Sequence, residues 1–245
     1  MGCEGSLVQI QSPRFFCRSR VVSPKIAVLI PAYNASQTLP ELIQKIADTF
    51  PCKDIIVVDD GSQDDTSRVA IKAGVILLGH PLNRGKGEAL RTGFGYAVQN
   101  GYDFVITLDA DLQHKPEELK LFVEINQNGS YDLIVGTRDF SFKNMPLDRV
   151  VTNFVSSVIL TLLSGQKIRD SQSGYRMISS RILREVKLKC RKYDLESEIL
   201  IKAGRKGFRI GLVPTATVYE GSRSFINPLV DTGRFVKICW KSLFW

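Results

Sequence analysis

Short apolar runs that stop at loops of Asp, Asn and Gly, each followed by a helical pattern, recur through the first half of this chain and confine it to very few folds. Ile26-Ala27-Val28-Leu29-Ile30 ends at Pro31-Ala32-Tyr33-Asn34, and Ile55-Ile56-Val57-Val58 ends at Asp59-Asp60-Gly61-Ser62. Val75-Ile76-Leu77-Leu78 leads to Asn83-Arg84-Gly85-Lys86-Gly87, residues 104–108 lead to Asp109-Ala110-Asp111, and Leu133-Ile134-Val135 leads to Gly136-Thr137-Arg138-Asp139. Runs that are apolar at every position suit parallel strands covered on both faces. Between them, Leu39, Leu42, Ile43, Ile46 and Phe50 follow the spacing of a buried helical face, and residues 116–128 read as another helix, stopped by Gly129. Asp64 or Asp65 is available to cap a helix after the second run. The alternation predicts an α/β protein built on a single Rossmann-like, mainly parallel, doubly wound sheet. Such sheets bind ligands beyond the carboxyl ends of their strands, where these acids and glycines collect.

Past Asp139 the alternation fades. Residues 150–163 read as a mostly apolar helix interrupted by Thr152, Asn153, Ser156, Ser157 and Thr161, so no window approaches the run of about 20 apolar residues that spans a bilayer. Asp170-Ser171-Gln172-Ser173-Gly174-Tyr175-Arg176 and residues 219–224 read as polar loops, residues 193–204 as an amphipathic helix and residues 208–213 as a strand. A helix over residues 234–245 groups Val236, Cys239, Trp240 and Leu243 on one face and Arg234, Lys237 and Lys241 on another. The first 24 residues lack the continuous apolar core of a signal peptide and read as a disordered or artefactual extension ahead of Lys25.

The chain has 245 residues and 44% apolar content, enough for a sizeable core. Its five cysteines are odd in number and form no C-x-x-C pair, a usage that argues against a disulfide framework or zinc site and for a reducing, cytoplasmic setting. A net charge of +8 implies an anionic partner without choosing among nucleic acid, membrane surface and phosphorylated substrate.

The most chemically suggestive stretch is Asp109-Ala110-Asp111-Leu112-Gln113. Two hard oxygen donors at i and i+2, placed at a strand end, suit a divalent cation that leaves its other positions to phosphate and water. A solvated strand-to-helix turn is the bland reading of the same residues. His114, beside the following helix start, reads as a surface or capping residue.

Taken in order, Pro31-Ala32-Tyr33-Asn34, Val58-Asp59-Asp60-Gly61-Ser62, Asn83-x-Gly85-x-Gly87 and Asp109-Ala110-Asp111 resemble the inverting family 2 glycosyltransferases of GT-A fold, over roughly residues 25–235. Asp109-Ala-Asp-Leu-Gln113-His-Lys-Pro116, Gly136-Thr-Arg138 and Ser173-Gly-Tyr-Arg176 resemble the branch that includes dolichyl-phosphate mannose synthase and polyprenyl-phosphate relatives. The resemblance implies residues 25–139 as a nucleotide-sugar half, 140–233 as an acceptor-binding region and 234–245 as an amphipathic terminal helix. It implies a nucleotide-sugar donor of GDP-mannose or UDP-glucose type, a polyprenyl or dolichyl phosphate acceptor, and Mg²⁺ or Mn²⁺ held by Asp109, Asp111 and Gln113. Pro31, Tyr33, Asn34, Asp59, Asp60, Ala110 and Gln113 are then expected at the donor. Asp109, Asp111, Arg138, Asp170 and Arg176 are expected in catalysis, with Arg138 and Arg176 as fixed cations and Asp170 as the base if a hydroxyl accepts the sugar. Asp60 also has a plain reading as a loop cap, and Lys86 and Arg84 read either as phosphate-side cations or as surface charges.

Ala35 and Ser36 stand where close relatives carry an acid, which loosens the inference to a particular base or sugar. No Gln-x-x-Arg-Trp stretch occurs, which argues against processive polymer synthesis. The acceptor implies a peripheral protein on the cytoplasmic face of the membrane, with Arg169, Arg176 and Arg223 near the lipid phosphate and no role for nucleic acid. The competing readings are transfer to a sugar hydroxyl in surface-glycan assembly and, from another class, an inactive nucleotide-binding or receiver-like module.

Overall fold

A computed structural model of the chain describes residues 23–127, 129–138, 147–190, 194–216, 228–242 and 245. The strands β1 (Ile26–Ala32), β2 (Ile55–Asp59), β3 (Ile76–Gly79), β4 (Phe104–Thr107), β5 (Leu133–Arg138), β6 (Arg176–Ser179) and β7 (Ile210–Thr215) form one sheet in the order β3-β2-β1-β4-β6-β5-β7. The helices are α1 (Leu39–Ala47), α2 (Thr66–Lys72), α3 (Lys86–Gln99), α4 (Leu119–Asn126), α5 (Leu147–Ser164), α6 (Ser180–Glu185), α7 (Asp194–Arg205) and α8 (Pro228–Ser242).

Because strand side chains alternate between faces, the continuous apolar runs fill two cores. Ala27, Leu29, Ile56, Val58, Val105, Leu133 and Val135 pack with α3 and α7 residues such as Ala89, Phe94, Ile199 and Leu200. Val28, Ile30, Ile55, Val57, Ile106 and Ile134 pack on the other side with Leu39, Leu42, Ile46 and Phe122. The mixed α/β sheet is the predicted one, mostly parallel through β3-β2-β1-β4 and again through β5-β7.

The departure lies between β4 and β5, where β6 is antiparallel to both. Sequence pattern placed Arg176 in a polar loop, whereas it opens this strand. β6 is four residues long and begins with a charge, so its periodicity carries no strand signal; two ladders, one on each edge, specify it instead. The C-terminal helix starts at Pro228 rather than Arg234, proline being pre-set for a first helical turn. Asp65 precedes α2 without a side-chain cap, while Asp64 accepts from the Thr66 amide at 3.0 Å. Residues 1–22, the polar stretch at 219–224 and its Arg223 lie outside the described residues.

From β1 the chain moves outward through β2 to β3, then returns to place β4 on the opposite side of β1. The crevice between the ends of β1 and β4 is therefore the topological switch point, where open α/β sheets hold ligands.

Candidate active site

Three strand-end loops are tied together around this crevice. After β1, Asn34 takes a left-handed φ of 49°, a conformation asparagine tolerates better than most residues. Its amide donates to Ser62 Oγ at 2.9 Å, and its Oδ1 accepts from the Gln63 amide at 2.9 Å. The Ala35 amide donates to Thr66 Oγ1 at 2.8 Å, and Thr38 Oγ1 donates across the switch point to the Ala110 carbonyl at 2.6 Å. Tyr33 is left 48% exposed at the rim, beside Pro31.

Asp59 and Asp60, adjacent at the end of β2, serve different loops. Asp59 Oδ1 accepts from the Ser62 amide at 2.9 Å, and its other oxygen accepts from the Ser67 hydroxyl. Asp60 accepts from the amides of Arg84 at 3.0 Å and Gly85 at 2.7 Å, and lies 2.6 Å from His80 Nδ1. His80 Nε2 in turn lies 2.9 Å from Thr92 Oγ1 on α3. Asp60 thus fixes the turn that launches α3, whose first residue is Lys86. His80 carried no sequence signal, since a lone histidine has no spacing to read.

Lys86 Nζ lies 2.6 Å from Asp109 Oδ1, just past β4, and 3.0 Å from Glu196 Oε1 on α7. Burial alone would raise the Asp109 carboxyl, but the Lys86 ammonium outweighs it and holds the group below its usual range, with Arg176 contributing. The same pair works in reverse on Lys86: burial opposes its charge, and Asp109 and Glu196 more than compensate, so its pKa is raised. Asp111 is exposed and accepts from the Gln113 amide at 3.0 Å. Partial desolvation, then the charge of Asp109, raises its carboxyl. Leu112, between Asp111 and Gln113, has φ +60°, a strained value for a non-glycine residue that turns the loop sharply.

The second cluster sits beyond β5. Arg138 donates to Asp170 from Nε at 2.7 Å, from Nη2 at 2.8 Å and from its amide at 3.2 Å. Asp170 is fully buried. Arg176, 1% exposed, donates from Nε to Ser173 O at 2.7 Å, from Nη1 to Glu196 O at 2.6 Å and from Nη2 to Ser171 O at 2.9 Å. Its guanidinium braces the 171–173 turn and the start of α7 from beneath, and reaches Asp109 through its field.

His114 is buried rather than at the surface, stacked at a tilt on Tyr175 with ring centroids 5.1 Å apart. Its Nδ1 has no hydrogen-bond partner, and burial pushes its pKa down to about 4, so the ring is neutral near pH 7.

The structure therefore gathers Asp109, Asp111, Ala110 and Gln113 with the β1 and β2 loops, and sets Arg138 and Asp170 beside them. Glu196 carries no sequence signal, and Lys86, between Gly85 and Gly87 at the start of a helix, reads from sequence equally as a phosphate-side cation or a surface charge. Among the described residues no three His, Cys, Asp or Glu side chains converge as a ready-made cation cage. Asp109 and Asp111 with the Gln113 amide oxygen are hard donors of the kind Mg²⁺ or Mn²⁺ takes when phosphate fills its other positions. The Lys86 ammonium rests against Asp109 Oδ1 at 2.6 Å, so the loop already pairs one positive charge with this carboxylate.

The fold is shared with known proteins. Glucosyl-3-phosphoglycerate synthase from Mycobacterium tuberculosis, solved with Mg²⁺ and UDP, matches with a TM-score of 0.69 at 22% identity over 90% of this chain and 78% of its own, a likeness of fold. Sheet order and neighbour define the GT-A class of glycosyltransferases. The sequence profile of Glycosyl transferase family 2 matches residues 27–187, and the chain belongs to that family. Among its curated relatives are UDP-N-acetylglucosamine--dolichyl-phosphate N-acetylglucosaminyltransferase from Methanococcus voltae, 34% identical over 216 residues, with 79% of this chain and 86% of the relative covered. Undecaprenyl-phosphate mannosyltransferase from Micrococcus luteus is 29% identical over 205 residues, covering 79% of this chain and 84% of its own.

Proposed function

We propose that this glycosyltransferase moves a hexose from a nucleotide sugar of the GDP-mannose or UDP-glucose type to a polyprenyl or dolichyl phosphate, inverting the anomeric centre and depending on Mg²⁺ or Mn²⁺. The observation that carries the reading is the pairing of two clusters at one crevice: Asp109 held by Lys86 and Glu196, with Arg138 and Asp170 alongside. The acceptor class is supported by the polyprenyl and dolichyl phosphates in the names of the two curated relatives.

The departing nucleoside diphosphate gathers negative charge, and groups that stabilise that charge more than the bound substrate accelerate transfer. Asp109, Asp111 and Gln113 would hold the metal, whose chemistry is to neutralise the diphosphate as it leaves. Everything else falls to side chains. Tyr33, Pro31 and Asn34 line the entrance for the base and ribose, and Asp59, buried with both oxygens bonded to Ser62 and Ser67, shapes the loop behind it. Asp60 acts one step back, holding the turn that aims Lys86. Arg138 presents fixed positive charge, and Asp170 keeps its guanidinium plane in place through two bonds.

A phosphomonoester is largely ionised at neutral pH, its second pKa being about 6, so the acceptor needs positioning more than deprotonation. That suits a site in which Asp170 is committed to Arg138 and buried away from water. Among the described residues no helix is long and apolar enough to cross a membrane. The protein then works as a peripheral enzyme at the cytoplasmic face, where it meets its lipid.

The test combines purified protein, GDP- and UDP-sugars and polyprenyl phosphate, with and without a chelator. A sugar-phosphate-lipid product that disappears on chelation is expected. Transfer only to a glycan hydroxyl, or transfer indifferent to chelation, refutes the proposal.

A further inference from the structure

Helix α5 is built inside out. An amphipathic helix ordinarily turns its apolar stripe to the core. Apart from Leu160, which is fully buried in the core, the buried positions are polar: Asn153 is 2% exposed, Ser156 5%, Ser157 4% and Ser164 3%. Beside exposed Thr152, the exposed positions are apolar: Val151 at 58%, Phe154 at 67%, Val155 at 49%, Val158 at 43% and Leu162 at 77%. These five recur at three- and four-residue spacings and so form one stripe along the helix.

The polar side has an evident task. Ser156 Oγ pairs with Ser171 Oγ at 2.6 Å, Ser157 Oγ accepts from the Ser171 amide at 3.0 Å, and Asn153 Oδ1 accepts from Ser171 Oγ at 3.1 Å. The inner face thus holds the turn next to Asp170. The outer face needs a different partner, because contiguous exposed apolar surface on a soluble domain marks an interaction site.

Charge identifies that partner. Residues 150–164 carry no charged side chain. Exposed Lys167 and Arg169 follow the helix directly, and Lys237 and Lys241 are exposed on α8. Arg205 joins the two helix ends, donating to Leu163 O at 2.8 Å and also to Ser242 O. On α8, Val236 at 60% and Trp240 at 66% are likewise exposed apolar side chains. An uncharged apolar stripe with cations at its margin suits a helix lying in the headgroup layer of an anionic bilayer. A second copy of the chain would bring the same cations face to face, which disfavours a dimer through this surface.

We propose that α5, together with the exposed edge of α8, docks this protein on anionic lipid, with Phe154, Val158 and Leu162 entering the interface and the flanking lysines and arginines at the phosphates. In the sequence only the terminal helix shows apolar and cationic faces; the burial pattern puts the main contact on α5, directly behind the turn that carries Asp170. The inference deepens the peripheral placement in the proposed function, yet its test involves neither donor nor acceptor, so either reading can fail alone.

The test is flotation of the full chain with phosphatidylcholine vesicles, with and without phosphatidylglycerol. Wild type should float with the anionic vesicles, less so in high salt. Phe154→Ser with Leu162→Ser should weaken partitioning by about tenfold or more, given the apolar area withdrawn. Its melting temperature should not fall, since both side chains already face water; this separates lost docking from lost folding. Wild-type protein that fails to float, a double variant that floats equally well, or a concentration-dependent dimer abolished by the same substitutions would each overturn the proposal.

Discussion

Gly174 lies in the turn over Asp109, and adding a single methyl group there should disable the site while sparing the fold. A β-carbon at Gly174 would sit 2.7 Å from Asp109 Oδ2, 3.0 Å from Lys86 Nζ and 3.3 Å from Asp109 Cγ. Ordinary contact begins near 3.4 Å, so the carboxylate oxygen must retreat by about 0.7 Å, the difference between 3.4 and 2.7. The two nearest atoms end side chains that can shift, so the fold yields at about 1 kcal/mol, the low end of overpacking costs. The chemistry has no such slack. Misplacement approaching 1 Å in an active site costs about 10²-fold in rate, or about 2.7 kcal/mol of barrier. For Gly174→Ala we expect kcat to fall by about 10- to 100-fold, with a melting temperature within about 3 °C of wild type. Gly93→Ala is the control: its β-carbon would meet Leu29 Cδ1 at 2.2 Å inside the core, which overpacks at about 1–3 kcal/mol. It should lower the melting temperature yet leave turnover per folded molecule close to wild type. Initial rates of nucleotide release at saturating donor, beside thermal melts of both variants, make the comparison. Full turnover in Gly174→Ala at wild-type stability would refute the reasoning.

Two further outcomes follow from buried or hydrogen-bonded acids. Asp170→Asn breaks a buried pair with Arg138, so the urea midpoint should drop by the equivalent of about 3 kcal/mol at constant slope; lost activity at unchanged stability would instead mark Asp170 as a general base. Asp64 is held down to about 2 from 3.8, since mild burial is outweighed by hydrogen bonds from the Thr66 hydroxyl and amide and the Ser36 amide. A folded pKa below the unfolded one adds stability above about pH 4 that is lost as pH falls toward 2. Wild type and Asp64→Asn should accordingly differ in urea midpoint near pH 6, with the gap shrinking by about half at pH 3 and closing only near pH 2, and a gap undiminished at pH 3 contradicts the assignment.

The strands and the loops that end them could be read from the chain because each signal is local. A run such as residues 26–30 announces a covered strand by its own composition, and Asp109 and Asp111 reach one crevice because two residues cannot stray far apart. β6 escaped detection because four residues opening on Arg176 look like loop until β4 and β5 flank them. Glu196 escaped because only sheet order brings α7 to Lys86, across more than a hundred residues of chain. Arg176, expected to face the leaving group, spends its donors on three carbonyls. Its charge is the same in either place, so charge alone could not tell brace from ligand. α5 states the limit most clearly. Its periodicity separates a polar from an apolar face, but the inward side is set by what the neighbouring turn needs to bond, and Ser171 drew the polar side in.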